Sequence, residues 1–175
     1  MKKTIWHCHI AVSLDGKIAR SDGSFDWLMD YPPQEFGIDA FLAGVDAIVM
    51  GRATYETVRG MGDWPHPGKP AFVVTSRPLA DPPDGVEARP GDFAALAAEL
   101  EGRGFGRVWV EGGGQVIRGM MAAGKFDVLE MAVLPLVLGD GIPLFPQGTP
   151  GLGLRLKSCE PRTGGALHVI YEAVR

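Results

Sequence analysis

Short, uninterrupted runs of apolar residues, most of them separated by enough chain for a helix, constrain this sequence more than any other feature. The runs fall at 4–12, 47–50, 71–75, 107–110, 128–134 and 167–174, with a weaker one at 154–158. A strand with one wet face alternates apolar and polar residues, whereas a continuous run suits a strand buried on both faces. Segments of helical pattern lie between the runs at 34–43, 53–59, 93–101 and 115–123, and Asp92 stands where the third needs an N-cap. This alternation predicts an α/β fold: a mainly parallel central sheet with helices on both faces. From Val128 onward, strands follow one another without helices, which predicts an antiparallel C-terminal edge. Pro/Gly clusters at 31–33, 64–68, 81–85 and 148–151 read as surface turns rather than linkers, so a single domain is expected over 1–175.

Composition narrows the function classes. Lys and Arg number 17 against 21 Asp and Glu, a net charge of −4 that argues against a nucleic-acid binder or a membrane-surface protein. No apolar run approaches the ~18–20 residues of a membrane span. The start, Met1-Lys2-Lys3, runs into His7, Cys8, His9 and Asp15 without the clean apolar segment of a signal peptide, so a cytoplasmic protein is expected. Cys8 and Cys159 form no CxxC pair and read as reduced thiols. His7 and His9 share a strand face, but no third ligand at a recognisable spacing joins them, and no metal is expected.

In sheets of this type, ligands bind at the carboxyl ends of the strands, where the topology switches direction. The first strand runs into the turn Asp15-Gly16-Lys17-Ile18-Ala19. The second ends Met50-Gly51-Arg52-Ala53-Thr54, where glycine permits a tight turn and a helix start presents free N–H groups. Arg52 and Thr54 add donors suited to phosphate. The third ends Thr75-Ser76-Arg77, with two hydroxyls and a second guanidinium. The strongest signal is Val108-Trp109-Val110-Glu111-Gly112-Gly113-Gly114-Gln115-Val116. Three glycines between a buried strand and a helix leave no side chains at the helix mouth, so a pyrophosphate could approach the backbone amides. Neither GxGxxG nor GxxxxGK[ST] is present.

These motifs occur together, in this order and spacing, in a known family. The chain resembles the dihydrofolate reductase-like superfamily, and within it the group named after the reductase domain of the bacterial bifunctional riboflavin-biosynthesis deaminase-reductase. Leu138-Gly139-Asp140-Gly141-Ile142-Pro143-Leu144-Phe145 fits that group too. The resemblance implies a reductase that uses NADPH on a pteridine- or pyrimidine-like heterocycle, and a homodimer. It implies that Gly51, Arg52 and Thr54 hold the adenosine side of the cofactor, with Arg52 on the 2′-phosphate. Thr75, Ser76 and Arg77 would flank the adenine ribose. Gly112, Gly113, Gly114, Gln115 and Val116 would cradle the pyrophosphate, and Ala11, Ile18 and Ala19 would line the nicotinamide. His9 and Glu111 would line the substrate cavity, with Trp27 at its mouth. Glu35 and Asp39 both fall where dihydrofolate reductases carry their pterin-binding carboxylate. The chain departs from the riboflavin-pathway pattern at 57–65, which lacks the usual Asp-Asp-Pro.

Three expectations follow for individual residues. Arg52 and Arg77, with no acidic residue after either strand, favour NADPH over NADH. Gly113 is the turn position where an added methyl should matter, by contact with pyrophosphate or by a forbidden backbone angle. Glu111 either hydrogen-bonds or protonates the substrate, with Asp39 as the other catalytic carboxylate, or it caps the helix after the glycines. A nucleotide-binding module without reductase activity is the competing reading.

Overall fold

The apolar runs assemble into one eight-stranded sheet in the computed structural model, which describes residues 3–174. Met1, Lys2 and Arg175, at the ends of the expected domain, lie outside the described residues. In chain order the strands of the main sheet are β1 (Ile5–Ser13), β3 (Ala47–Gly51), β4 (Ala71–Val74), β5 (Val86–Arg89), β6 (Arg107–Gly112), β7 (Val128–Leu134), β9 (Leu154–Pro161) and β10 (Leu167–Ala173). A small separate ribbon joins β2 (Lys17–Ala19) to β8 (Ile142–Pro143). The main sheet runs β5-β4-β3-β6-β1-β7-β10-β9. All pairings from β5 to β7 are parallel, and β10 and β9 close the edge antiparallel. The α/β class, the parallel centre and the antiparallel C-terminal edge are as the pattern predicts.

Helices α1 (Ile38–Ala43), α2 (Arg52–Gly60), α3 (Phe93–Gly102) and α4 (Gly114–Ala122) cover both faces. Successive strand residues point to opposite sides, which sorts the core into layers. Val49, Val108 and Val110 pack with Leu96, Leu100, Ile117 and Met120 of α3 and α4. Ile48, Met50 and Trp109 face the other way, onto Phe41 of α1 and Tyr55 of α2. Asp92 caps α3 as expected, its carboxylate accepting from the Ala95 N–H at 2.9 Å.

Two departures matter for the site. The helix expected at 34–43 is broken: a 3₁₀ turn, Pro33–Phe36, gives way to α1 at Gly37, whose φ of 72° is left-handed and ends the first segment. The turn after β1 is also tied to a distant loop. Asp15 accepts from Ser13 Oγ at 2.7 Å and from the N–H groups of Leu138 and Gly139 at 3.0 and 2.9 Å. These donors, the Ser13 hydroxyl first, hold the Asp15 carboxyl down at about 2. β9 is exposed along nearly its whole length and carries exposed Leu154 and Leu156. No helix among the described residues is long and apolar enough to cross a membrane.

Candidate functional site

The carboxyl ends of β3, β6 and β1 converge at the crevice where the expected ligand residues lie. Gly51 ends β3, and a Cβ there would touch Val116 Cγ2 at 3.2 Å, with Gly112 O and Gly113 N just beyond. The position of a Cβ on Gly113 is 3.8 Å from both Ile18 Cδ1 and Thr54 Oγ1. Thus Ile18, Gly51, Thr54, Gly112, Gly113 and Val116, read from three separate motifs, meet at one place. α4 begins there with no side-chain cap, so its first N–H groups stay open at the glycine turn.

Glycine is required in this turn, but at different positions from the one expected. Gly113 has φ −66°, open to any residue, and its Cβ position makes ordinary contacts only. The forbidden-angle expectation for Gly113 is therefore corrected. Gly112 carries the left-handed φ, 114°, and Gly114 has no room, since a Cβ would lie 2.6 Å from the Pro143 carbonyl oxygen.

A second cluster sits at the neighbouring strand end. Arg52 reaches across from α2, its Nε on Glu56 at 2.7 Å and its Nη1 on Thr75 Oγ1, Arg77 O and Pro78 O at 3.3, 3.2 and 3.1 Å. The guanidinium is thereby fixed against the 75–78 loop, and only Nη2 has no partner among the described residues. Ser76 and Arg77 are exposed at the rim, as is Gln115 beside the glycine turn.

The expected substrate residues divide. Trp27 is buried with Phe36, Ala132 and Leu134, against Ala11, and its Nε1 has no hydrogen-bond partner among the described residues. Ala19 is buried on β2. Glu111 stands at the end of β6, its side chain only 12% exposed, with Oε1 3.7 Å from His66 Nε2 and Oε2 buried without a partner among the described residues. The capping alternative for Glu111 is corrected, because no side chain caps α4. Asp39 lies on the exposed side of α1 and does not join Glu111. Glu35 is tied away, its carbonyl accepting from Arg162 Nε at 2.7 Å and its carboxylate from Thr163 N at 3.3 Å.

His66 is the residue the sequence reading passed over. It is buried, edge-on to both Trp64 and Trp109, and it reaches Glu111 from a turn 45 residues earlier. The Trp64-Pro65-His66-Pro67-Gly68 cluster carried only a turn signal. His9 is buried on β1 and stacks on Phe41, with its Nε2 on the Phe36 carbonyl at 2.9 Å.

Comparison with known proteins places this geometry in context. The family model of the RibD C-terminal domain matches residues 6–168. The chain is 34% identical to the uncharacterized protein YwjB of Bacillus subtilis (strain 168), over 97% of each chain. Its fold superposes on the crystal structure of a Shewanella sp. PV-4 protein named for riboflavin biosynthesis, with a TM-score of 0.86 and 30% identity, covering 98% and 99% of the two chains. It also matches a pyrimidine reductase-like protein of Corynebacterium diphtheriae, with a TM-score of 0.71, 17% identity, and 98% and 92% coverage. A Thermotoga maritima deaminase/reductase shares the fold, with a TM-score of 0.73 and 17% identity; 98% of this chain covers 57% of that longer one.

Proposed function

Because the chain belongs to the RibD C-terminal domain family, we propose that it is a reductase using NADPH to deliver hydride to a pteridine- or pyrimidine-like heterocycle, in chemistry of the riboflavin and folate type. The observation that carries this reading is the juxtaposition of an uncapped, glycine-only helix mouth with a buried carboxylate one residue before it. The nicotinamide, when bound, supplies the hydride. The residues around it supply the rest. The open N–H groups of α4 and the hydroxyl of Thr54 suit a pyrophosphate. Arg52 Nη2 and the Arg77 guanidinium, which has no partner among the described residues, suit the 2′-phosphate. Ile18 and Ala19 offer an apolar wall for the nicotinamide.

Glu111 acts at the heterocycle. With Glu111 protonated, its otherwise unpartnered Oε2 donates an O–H to an unprotonated ring nitrogen, and Oε1 faces His66. A carboxyl at this point can pass a proton to the ring nitrogen as hydride reaches the adjacent carbon. Trp27, Phe36 and Ala11 form an apolar wall against which a planar ring packs.

The test begins with NADPH titration by fluorescence, followed by oxidation of NADPH with a panel of pteridines and aminopyrimidines. One charge-assisted bond is worth ~1.5–3 kcal/mol, so NADPH should bind roughly ten- to a hundredfold more tightly than NADH. Arg77→Ala should narrow that gap without unfolding the chain, since the residue is exposed. Equal affinity for the two nucleotides refutes the assignment, and binding without oxidation of any heterocycle favours the nucleotide-binding module.

We also propose that the protein is a homodimer built on β9, whose exposed leucines leave an unpaired edge strand wet on both faces. Sedimentation should give twice the 18.7 kDa chain mass. Leu156→Glu should return the monomer; a monomeric parent protein overturns the idea.

A further inference from the structure

On the sheet face covered by α1, three strands bring four ionisable side chains to one buried point. His7 and His9 come from β1, Glu130 from β7 and His168 from β10. His9 lies directly opposite Glu130 in the β1–β7 register. Glu130 Oε2 is 2.8 Å from His7 Nε2, and Oε1 is 2.7 Å from His168 Nε2. His168 Nδ1 lies 3.2 Å from Arg162 Nη2, and His9 Nε2 lies 2.9 Å from the Phe36 carbonyl.

The partners decide where the protons are. A guanidinium only donates, so His168 Nδ1 is an acceptor and Nε2 carries the proton, which it gives to Glu130. A carbonyl only accepts, so His9 Nε2 is also an N–H. His7 donates from Nε2 to the remaining carboxylate oxygen, and its Nδ1 has no partner. Glu130 thus accepts from His7 at one carboxylate oxygen and from His168 at the other. Burial pushes the Glu130 carboxyl up, but the histidine donors outweigh it and the group sits below its ordinary value. Burial pushes the His9 ring down.

Two arms leave this cluster, and both end on the same segment. His9 donates to the carbonyl of Phe36, and Arg162, whose Nη2 lies 3.2 Å from His168 Nδ1 and 2.7 Å from Glu160 Oε2, donates to the carbonyl of Glu35. That segment ends at left-handed Gly37 and packs Phe36 beside Trp27 over β7. We infer that Glu130 is a positioning residue for the substrate wall: through His168 and Arg162 it helps to fix the backbone at Glu35, next to the Phe36 carbonyl held by His9, whose Nε2 lies 3.6 Å from Glu130 Oε1. The inference rests on the reductase reading for the word substrate, and on geometry alone for the anchoring.

The same atoms invite comparison with a metal site, since ligand atoms of His9, Glu130 and His168 lie within 4.8 Å of one another. Both imidazole nitrogens that would bind an ion already carry protons aimed at oxygen. Coordination would require both protons to leave and Arg162 to turn away.

Histidine nitrogen NMR of the whole protein near neutral pH tests the network first. His7, His9 and His168 should all carry a proton on Nε2. In Glu130→Gln the new amide must face an acceptor, and of the two rings bonded to Glu130 only His7 has, among the described residues, a nitrogen without a partner, so its proton should move to Nδ1 while His168 keeps Nε2–H. An Nδ1–H ring at His9 or His168 in the parent protein, or stoichiometric zinc binding that shifts those rings, overturns the inference. The second arm is Arg162→Met, which cuts the link to Glu35 and leaves the buried carboxylate intact. Amide exchange across 33–41 should quicken, and KM for a reduced heterocycle should rise roughly tenfold with NADPH affinity unchanged. A fall in melting temperature with exchange and KM both unmoved assigns a structural role only and refutes positioning. Should no heterocycle be reduced, the reductase reading fails, while the spectra and exchange rates decide the anchoring on their own.

Discussion

Gly114→Ala should cost both stability and nucleotide binding, whereas Gly113→Ala should cost binding alone. A methyl on Gly114 meets backbone oxygens of Pro143 and Leu144 at 2.6 and 3.1 Å, and the Pro146 ring at 3.1 Å. Neither carbonyl belongs to a flexible side-chain end, so α4 or the β8 segment must move. Overpacking of this kind costs ~1–3 kcal/mol, a loss of several degrees in melting temperature for a chain of this size. The helix mouth moves with it, and NADPH affinity should fall at least tenfold. At Gly113 the backbone is ordinary and the nearest atoms are 3.8 Å away, so the fold should tolerate alanine within ~0.5 kcal/mol. The added methyl faces Ile18 and Thr54, in the space proposed for the pyrophosphate. Thermal melting and NADPH titration of the two variants separate the effects. A Gly113→Ala protein that binds NADPH normally shows that the turn is not the cradle.

Glu111→Gln should leave the fold intact and reduce turnover of a heterocyclic substrate by roughly 10²–10⁴-fold. The carboxylate is nearly buried, one oxygen lacks a partner and the other is beyond hydrogen-bond reach of His66, so the free protein gains little from its charge. Melting temperature should therefore hold or rise. Glutamine keeps the shape and still accepts an N–H, but it cannot carry a proton to the ring. On the proposed role of Glu111 at the heterocycle, NADPH affinity should change little. Unchanged turnover with an unchanged pH profile would remove Glu111 from the chemistry, and Asp39, on the exposed side of α1, offers no ready substitute.

The legible parts of this molecule are those where neighbours in sequence share one environment. Ala47–Gly51 and the 108–110 stretch of β6 read as buried strands because every residue in them is apolar or glycine, and the three glycines after Glu111 read as a helix mouth. Val86–Arg89 escaped notice: as an edge strand it buries one residue fully and alternates with charge. The break at Gly37 was hidden inside a helical pattern, since periodicity does not report the sign of φ. Side-chain clusters assembled across the fold were least visible. His7 and His9 were apparent as a pair, but Glu130 and His168 reach them only through pairing of β7 with β1 and β10. His66 finds Glu111 through a turn whose prolines signal only a bend. Arg52 was read for its charge, and its commitment to the 75–78 loop depends on how far that loop folds back.

The shared carboxylate of Asp15 has a mechanical consequence. The turn that carries Lys17 and Ile18 and the loop at Leu138 and Gly139 are separated by more than a hundred residues, yet one side chain grips both. Between them the β2–β8 ribbon adds a second tie at Lys17 and Ala19. Neither loop can swing outward alone without stripping an ionised oxygen of its donors, so the two are geared together and open as a single flap. Ile18, carried on that flap, rides in contact range of the glycine turn. The joint at Asp15 therefore helps to set where Ile18 stands beside the glycine turn.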